Sequence, residues 1–148
     1  MTRMNADSPL RGLVDTNIVI LREWIPPDDL PDELAISVVT LAELSFGPHA
    51  VRGDDAQASA ERARRVAVLQ ATEADFDPLP FDARAARMYG ELAAALLGAG
   101  RAPRRRNFDL QIAATAVVNN LPLYTTNPDD FAGLDSYLKL MPVHRPTF

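Results

Sequence analysis

Short apolar runs alternate with longer stretches of helical periodicity along most of the chain. Gly12-Leu13-Val14 reads as a buried strand that ends on the polar Asp15. Asp15-Thr16-Asn17 then offers N-cap chemistry for a helix through Ile18, Val19, Ile20 and Leu21. Pro26, Pro27 and Pro31 break the pattern with a loop. Ala35 to Val39 predicts a second strand. Thr40 is expected to cap a helix beginning at Leu41, with Glu43 as its capping-box partner and Gly47-Pro48 as its stop. Residues 54–73, rich in Ala, Arg and Glu, predict an exposed amphipathic helix. Phe76, Leu79 and Phe81 mark a short strand interrupted by proline. Asp82 caps a helix with Ala86, Tyr89, Leu92, Ala93, Leu96 and Leu97 on its apolar side, closed by Gly98 and Gly100. A basic loop from Arg101 to Asn107 follows, then a helix from Leu110 to Val118 and a strand from Leu121 to Tyr124. An edge strand is expected around Tyr137 to Leu140.

Strands alternating with helices predict an α/β domain with a mainly parallel sheet. At 148 residues the chain fits one domain spanning 1–148, with residues 1–10 as a loose polar leader. A content of 47% hydrophobic and 24% charged residues is that of a soluble globular protein. With no apolar run near the ~18 residues of a membrane span, the expected location is the cytoplasm. The absence of cysteine excludes disulfides, thiolate metal sites and thiol nucleophiles. The formal net charge of −5 has the wrong sign for passive binding to nucleic acid, so any such function needs a local basic patch.

In parallel sheets, active sites lie outside the carboxyl ends of the strands. That rule selects Asp15, the segment from Thr40 to Glu43, and Thr125 to Asp130. Asp109, at the start of a helix, adds a further acid. Carboxylates that converge repel one another and need a cation. An all-oxygen set without Cys and without a placed His points to Mg²⁺, or Mn²⁺, rather than zinc. Each acid also has a plainer reading: Asp15 and Asp109 as helix caps, Glu43 as a capping-box partner, Asp130 as an ordinary turn residue.

The order of these motifs resembles the PIN domain, and their local wording resembles the VapC toxins of bacterial toxin–antitoxin pairs. Leu13-Val14-Asp15-Thr16-Asn17 is similar to the family's opening strand and signature. Ser37-Val38-Val39-Thr40-Leu41-Ala42-Glu43-Leu44 is similar to its second motif. Asp109-Leu110-Gln111-Ile112-Ala113-Ala114-Thr115-Ala116 is similar to the third, and Leu123 to Phe131 to the fourth. The resemblance covers about residues 12 to 131 and implies a three-layer α/β/α PIN-like fold. It also implies an endoribonuclease in which Asp15, Glu43 and Asp109 hold Mg²⁺, directly or through water, with Asp130 or Asn127 completing the site. Thr16, Asn17, Thr40 and Thr125 would orient ligands and water. Two positions depart from the pattern: Thr126 stands where an Arg is frequent, and Asn127 where some members carry Asp. The resemblance further implies a homodimer and a VapB-like antitoxin partner.

Arg104, Arg105 and Arg106, just before Asp109, are the expected RNA-phosphate contacts; Arg62, Arg64 and Arg65 make a second basic cluster, read first as solvated helix surface and otherwise as the next candidate for RNA. Met88 and Tyr89 read as core, and Trp24 as either a partner contact or a cover on the core. Two other readings compete. A phosphatase with an aspartyl nucleophile after the first strand would want an acid at Asn17 and a lysine in a later motif, but the only lysine is Lys139. A non-enzymatic PIN-like module would bind nucleic acid regardless of metal.

Overall fold

The computed structural model describes residues 10–103 and 107–148. Four strands form one sheet: β1 (Arg11–Val14), β2 (Glu33–Ala35), β3 (Leu123–Thr125) and β4 (Leu140–Pro142), in the order β2-β1-β3-β4. Every pairing is parallel, with Leu13 opposite both Ala35 and Leu123, and Leu123 opposite Leu140. Alternation along the strands then sorts the core into two halves. Leu13, Ala35 and Leu123 pack with Leu92, Leu96, Leu110 and Ala113 on one face. Val14, Ile36 and Tyr124 pack with Ile18, Val19, Leu44, Val68 and Leu69 on the other. The helices supplying those residues are α1 (Thr16–Leu21), α2 (Val38–Ala50), α3 (Ala56–Asp75), α4 (Ala83–Gly98) and α5 (Asn107–Val118). This is the expected three-layer α/β/α arrangement around a parallel sheet. Among the described residues no helix is long and apolar enough to cross a membrane.

Four helices begin on a side chain that accepts from a free backbone N–H: Asp15 from Ile18, Ser37 from Val39, Asp55 from Ala58 and Asp82 from Ala85. Each such cap contributes about 1 kcal/mol. Ser37 replaces Thr40 as the expected cap, and the second strand ends at Ala35 rather than Val39. The β-branched run from Ile36 to Val39 resembles a strand, but Ser37 in extended backbone starts the helix at Val38. Nor do Gly47-Pro48 stop this helix. Pro48 sits in its last turn, and its carbonyl accepts from Val51 N–H.

Residues 76–81 form no strand of their own. Leu79 makes a single parallel bridge to Ser37, exchanging hydrogen bonds with Ile36 O (2.8 Å) and Val38 N (2.9 Å), so the segment protects the β2 edge. The last strand lies at Leu140–Pro142, because Leu138 N–H still bonds back to Leu134 O in a turn. On α4 the buried stripe is Ala85, Leu92 and Leu96, with Met88 and Tyr89 packed against the core; Ala86 and Leu97 lie one position round and face solvent. Helix α5 is buried over Leu110 and Ile112 to Ala116, packed between α4 and α2. Trp24 is half exposed, its ring edge-on to Phe148 at 5.1 Å.

Candidate active site

The carboxyl ends of β1 and β3 lie side by side, and this places Asp15 next to Thr125 across 110 positions of sequence. Asp15 is buried. Its Oδ1 accepts from Ile18 N–H at 3.1 Å as the cap of α1, and its Oδ2 accepts from the Thr125 hydroxyl. The Thr125 oxygen in turn accepts from Asn127 N–H at 2.9 Å. One fully buried hydroxyl therefore locks both the carboxylate after β1 and the turn after β3.

Glu43 is held from the other side. Thr16 Oγ1 donates to Glu43 Oε1 at 2.6 Å and lies 3.0 Å from Thr40 Oγ1. A hydroxyl has one hydrogen, so with that of Thr16 committed to Glu43, Thr40 is the donor to Thr16. This relay is why Thr40, fully buried inside α2, carries a hydroxyl at all. It also replaces the capping-box reading of Glu43.

Asp109 sits in the first turn of α5, and Asp130 in the 3-10 turn Pro128–Phe131, whose backbone closes with Asp130 N–H to Asn127 O at 3.0 Å. All four acids line one cleft of 410 Å³, together with Thr16, Asn17 and Asn127, over apolar Ile20, Leu44, Val68 and Ile112. The four expected acids and Asn127 thus meet at the carboxyl edge of the sheet, as the parallel topology requires.

Burial raises the pKa of Asp15; the Thr125 hydroxyl and the Ile18 N–H oppose this, and the charge of Asp130 adds to it. Glu43 is raised first by burial, opposed by Thr16 and reinforced by the charge of Asp15. Buried carboxylates that disfavour one another's charge call for a cation. The cleft lining holds no His or Cys and offers only oxygen ligands for one, and this suits Mg²⁺. No three Asp, Glu or His side chains among the described residues are gathered tightly enough to hold an ion by themselves. A spread set fits a hydrated Mg²⁺, which keeps several waters and takes only one or two carboxylates directly.

Arg104, Arg105 and Arg106 lie outside the described residues. Arg64 and Arg65, read from the sequence as solvated surface, instead line the cleft. The Glu61–Arg64–Arg65 spacing of one helical turn was visible in the sequence; which face of α3 meets α2 was not.

The model of the PIN domain family matches residues 13–136. Ribonuclease VapC5 of Mycobacterium tuberculosis is 42% identical over 131 residues, covering 86% of this chain and 90% of that protein. A crystal structure of a member of the VapBC family of toxin–antitoxin systems, VapBC-5 from Mycobacterium tuberculosis, matches with a TM-score of 0.77 at 38% identity, over 91% of this chain and 100% of that one. VapBC-1 from nontypeable Haemophilus influenzae shares the fold, with a TM-score of 0.68 at 24% identity over 90% of this chain and 98% of that one. These matches set aside the aspartyl-phosphatase reading, and the chain belongs to the PIN domain family, with its likeness running to VapC proteins.

Proposed function

We propose that this protein is the toxin of a VapBC-type toxin–antitoxin pair and acts as a Mg²⁺-dependent endoribonuclease, with Mn²⁺ able to substitute. The observation that carries the reading is the convergence of Asp15, Glu43, Asp109 and Asp130, from four separate elements, on one cleft. The relative named a ribonuclease and the solved toxin–antitoxin relative support the same direction.

Asp15, Glu43 and Asp109 would hold the ion, directly or through water, and Asp130 or Asn127 would complete the set. The bound ion would supply an activated water and offset phosphate charge during hydrolysis. The chain's own contribution is positional. Thr125 fixes the rotamer of Asp15, and the Thr40–Thr16 relay fixes Glu43, so both carboxylates are aimed before any ligand arrives. Asn17, beside them in the cleft and above its apolar floor, would orient water. Arg104 to Arg106 precede Asp109 by three to five residues and contact the RNA backbone. The working unit is a cytoplasmic homodimer neutralised by a VapB-like antitoxin.

The test is direct. The purified protein should cleave single-stranded RNA with Mg²⁺ and stop with EDTA. Asp15→Asn keeps one oxygen to accept from Ile18 N–H and turns its amide N–H toward the Thr125 oxygen; it should stay folded and lose cleavage. Undiminished cleavage by that folded variant removes the metal-site assignment, whereas RNA binding without cleavage at any Mg²⁺ concentration favours a binding module.

A further inference from the structure

The arginines of α3 are divided by the fold. Arg62 Nη2 donates to the carbonyls of Val51 (3.3 Å) and Gly53 (3.0 Å), tying the helix to the loop before it. Arg64 and Arg65 line the cleft instead. Glu61 holds both: Arg64 donates through Nε (3.0 Å) and Nη2 (2.7 Å) to its two oxygens, and Arg65 through Nε (2.7 Å) to one of them. Arg65 Nη1 also reaches Gly47 O of α2 at 2.9 Å. The pull of both guanidiniums lowers the Glu61 pKa to about 2, so it stays ionised and the trio carries one net positive charge. A guanidinium has five N–H donors. These contacts use two on each arginine and leave a partly free fork on both. Across the cleft stand Asp15, Glu43, Asp109 and Asp130, a wall that repels a phosphate. Two long cations already ordered by Glu61 lose less side-chain freedom on gripping an anion than free ones do.

Resting on the ribonuclease reading above, we propose that Arg64 and Arg65 form a phosphate-binding rail for single-stranded RNA, holding the sugar–phosphate backbone on the α3 side of the cleft and so positioning the strand over the carboxylates. Such contacts act on every sequence alike, because phosphates carry no base information.

The experiment measures binding of a mixed-sequence oligoribonucleotide over a salt series, in the Asp109→Asn background, for Arg64→Gln, Arg65→Gln, the double variant and Arg62→Gln. Each lost phosphate contact should flatten the log–log salt dependence by roughly 0.7, so by about 1.4 in the double variant. Arg62→Gln should keep the parent slope. With Asp109 restored, the double variant should raise KM with little change in kcat and an unchanged Mg²⁺ requirement. Arg64 makes its hydrogen bonds and ion pair to Glu61 of its own helix, also feels the charge of Glu23, and is half exposed, so its single variant remains informative if the double variant unfolds. An unchanged slope in folded variants, or loss of antitoxin binding alone with RNA binding intact, overturns the proposal. If the unsubstituted chain neither binds nor cleaves RNA, the ribonuclease reading falls first and takes this one with it.

Discussion

Thr125→Val removes one oxygen and almost no volume from a fully buried position, so it isolates the hydroxyl that joins Asp15 to the turn after β3. Two hydrogen bonds go. The one to the Asp15 carboxylate is worth about 1.5–3 kcal/mol, and loss of the Asn127 N–H acceptor adds about 1 kcal/mol. The expected destabilisation is about 2.5–4 kcal/mol, a large share of the roughly 5–15 kcal/mol available to a domain. At about 2–4 °C per kcal/mol for a chain of this size, Tm should fall by on the order of 10 °C. The same change frees the Asp15 side chain, and loss of a partner that orients a ligand typically weakens metal affinity about 10–100-fold. Urea unfolding in EDTA gives the first quantity, and Mg²⁺ half-saturation of RNA cleavage gives the second. Thr125→Ser keeps the oxygen and should recover most of the metal affinity. A Thr125→Val protein within about 0.5 kcal/mol of the parent, with the same Mg²⁺ half-saturation, refutes the claim that this hydroxyl aligns the site.

Three further outcomes follow from the same geometry. Asp130→Asn should raise the Mg²⁺ requirement more than Asn127→Ala, because a carboxylate neutralises a hard cation and an amide does not; the reverse order in Mg²⁺ titrations would make Asn127 the ligand. Asp15 and Glu43 are raised above their ordinary values of 3.8 and 4.5, so these two carboxyls bind more protons in the folded metal-free protein than in the unfolded chain in the window just above those values. The stability they contribute in EDTA should therefore fall as pH rises through that window, against the opposite trend from Glu61, and Asp15→Asn should remove its share, so that the parent loses stability relative to the variant; parallel pH–stability curves for the two proteins contradict this. Finally, Gly12 lets the ring of Tyr124 lie against the β1 backbone, where an added Cβ would overlap the ring and sit 3.2 Å from Pro31 Cγ. Gly12→Ala should cost about 1–3 kcal/mol in thermal unfolding, and an unchanged Tm would show that the ring moves aside freely.

Parallel topology and strand-end chemistry say the same thing about Asp15, Glu43 and Asp130 and so make them legible in the sequence, while Asp109 is legible only as an acid at a helix start within a matched motif. The local grammar around them was less so. Ile36-Ser37-Val38-Val39 has strand propensity, yet a short β2 and a serine cap make it a helix start, since cap geometry outweighs a weak propensity. Thr40 looked like a cap because hydroxyls prefer helix ends. Its use as a buried donor to Thr16 depends on α1 crossing α2, a contact no local window contains. Charge on an Ala-rich helix is usually solvated, and Arg64 is indeed half exposed. Only the packing of α3 on α2 turns Arg64 and Arg65 toward the cleft. The shift of β4 from Tyr137–Leu140 to Leu140–Pro142 has a similar cause: the turn that seats Leu134 and Leu138 in the core postpones the strand.

The strand order has a consequence for when the protein becomes active. β1 leaves the ribosome well ahead of its central neighbour β3, with Asp15 and Thr125 separated by 110 positions, and the site acids appear in the order 15, 43, 109 and 130. Until residues 123–125 pair with β1, Asp15 lacks the hydroxyl that aims it, and until Asp130 follows, the cleft lacks a wall. Pairings this distant in sequence form late and slowly. An unfinished chain therefore carries its acids unassembled, and the hydrolytic function proposed for it begins only once synthesis has passed the fourth acid. That delay would give the antitoxin proposed for this chain time to be present before the cleft exists.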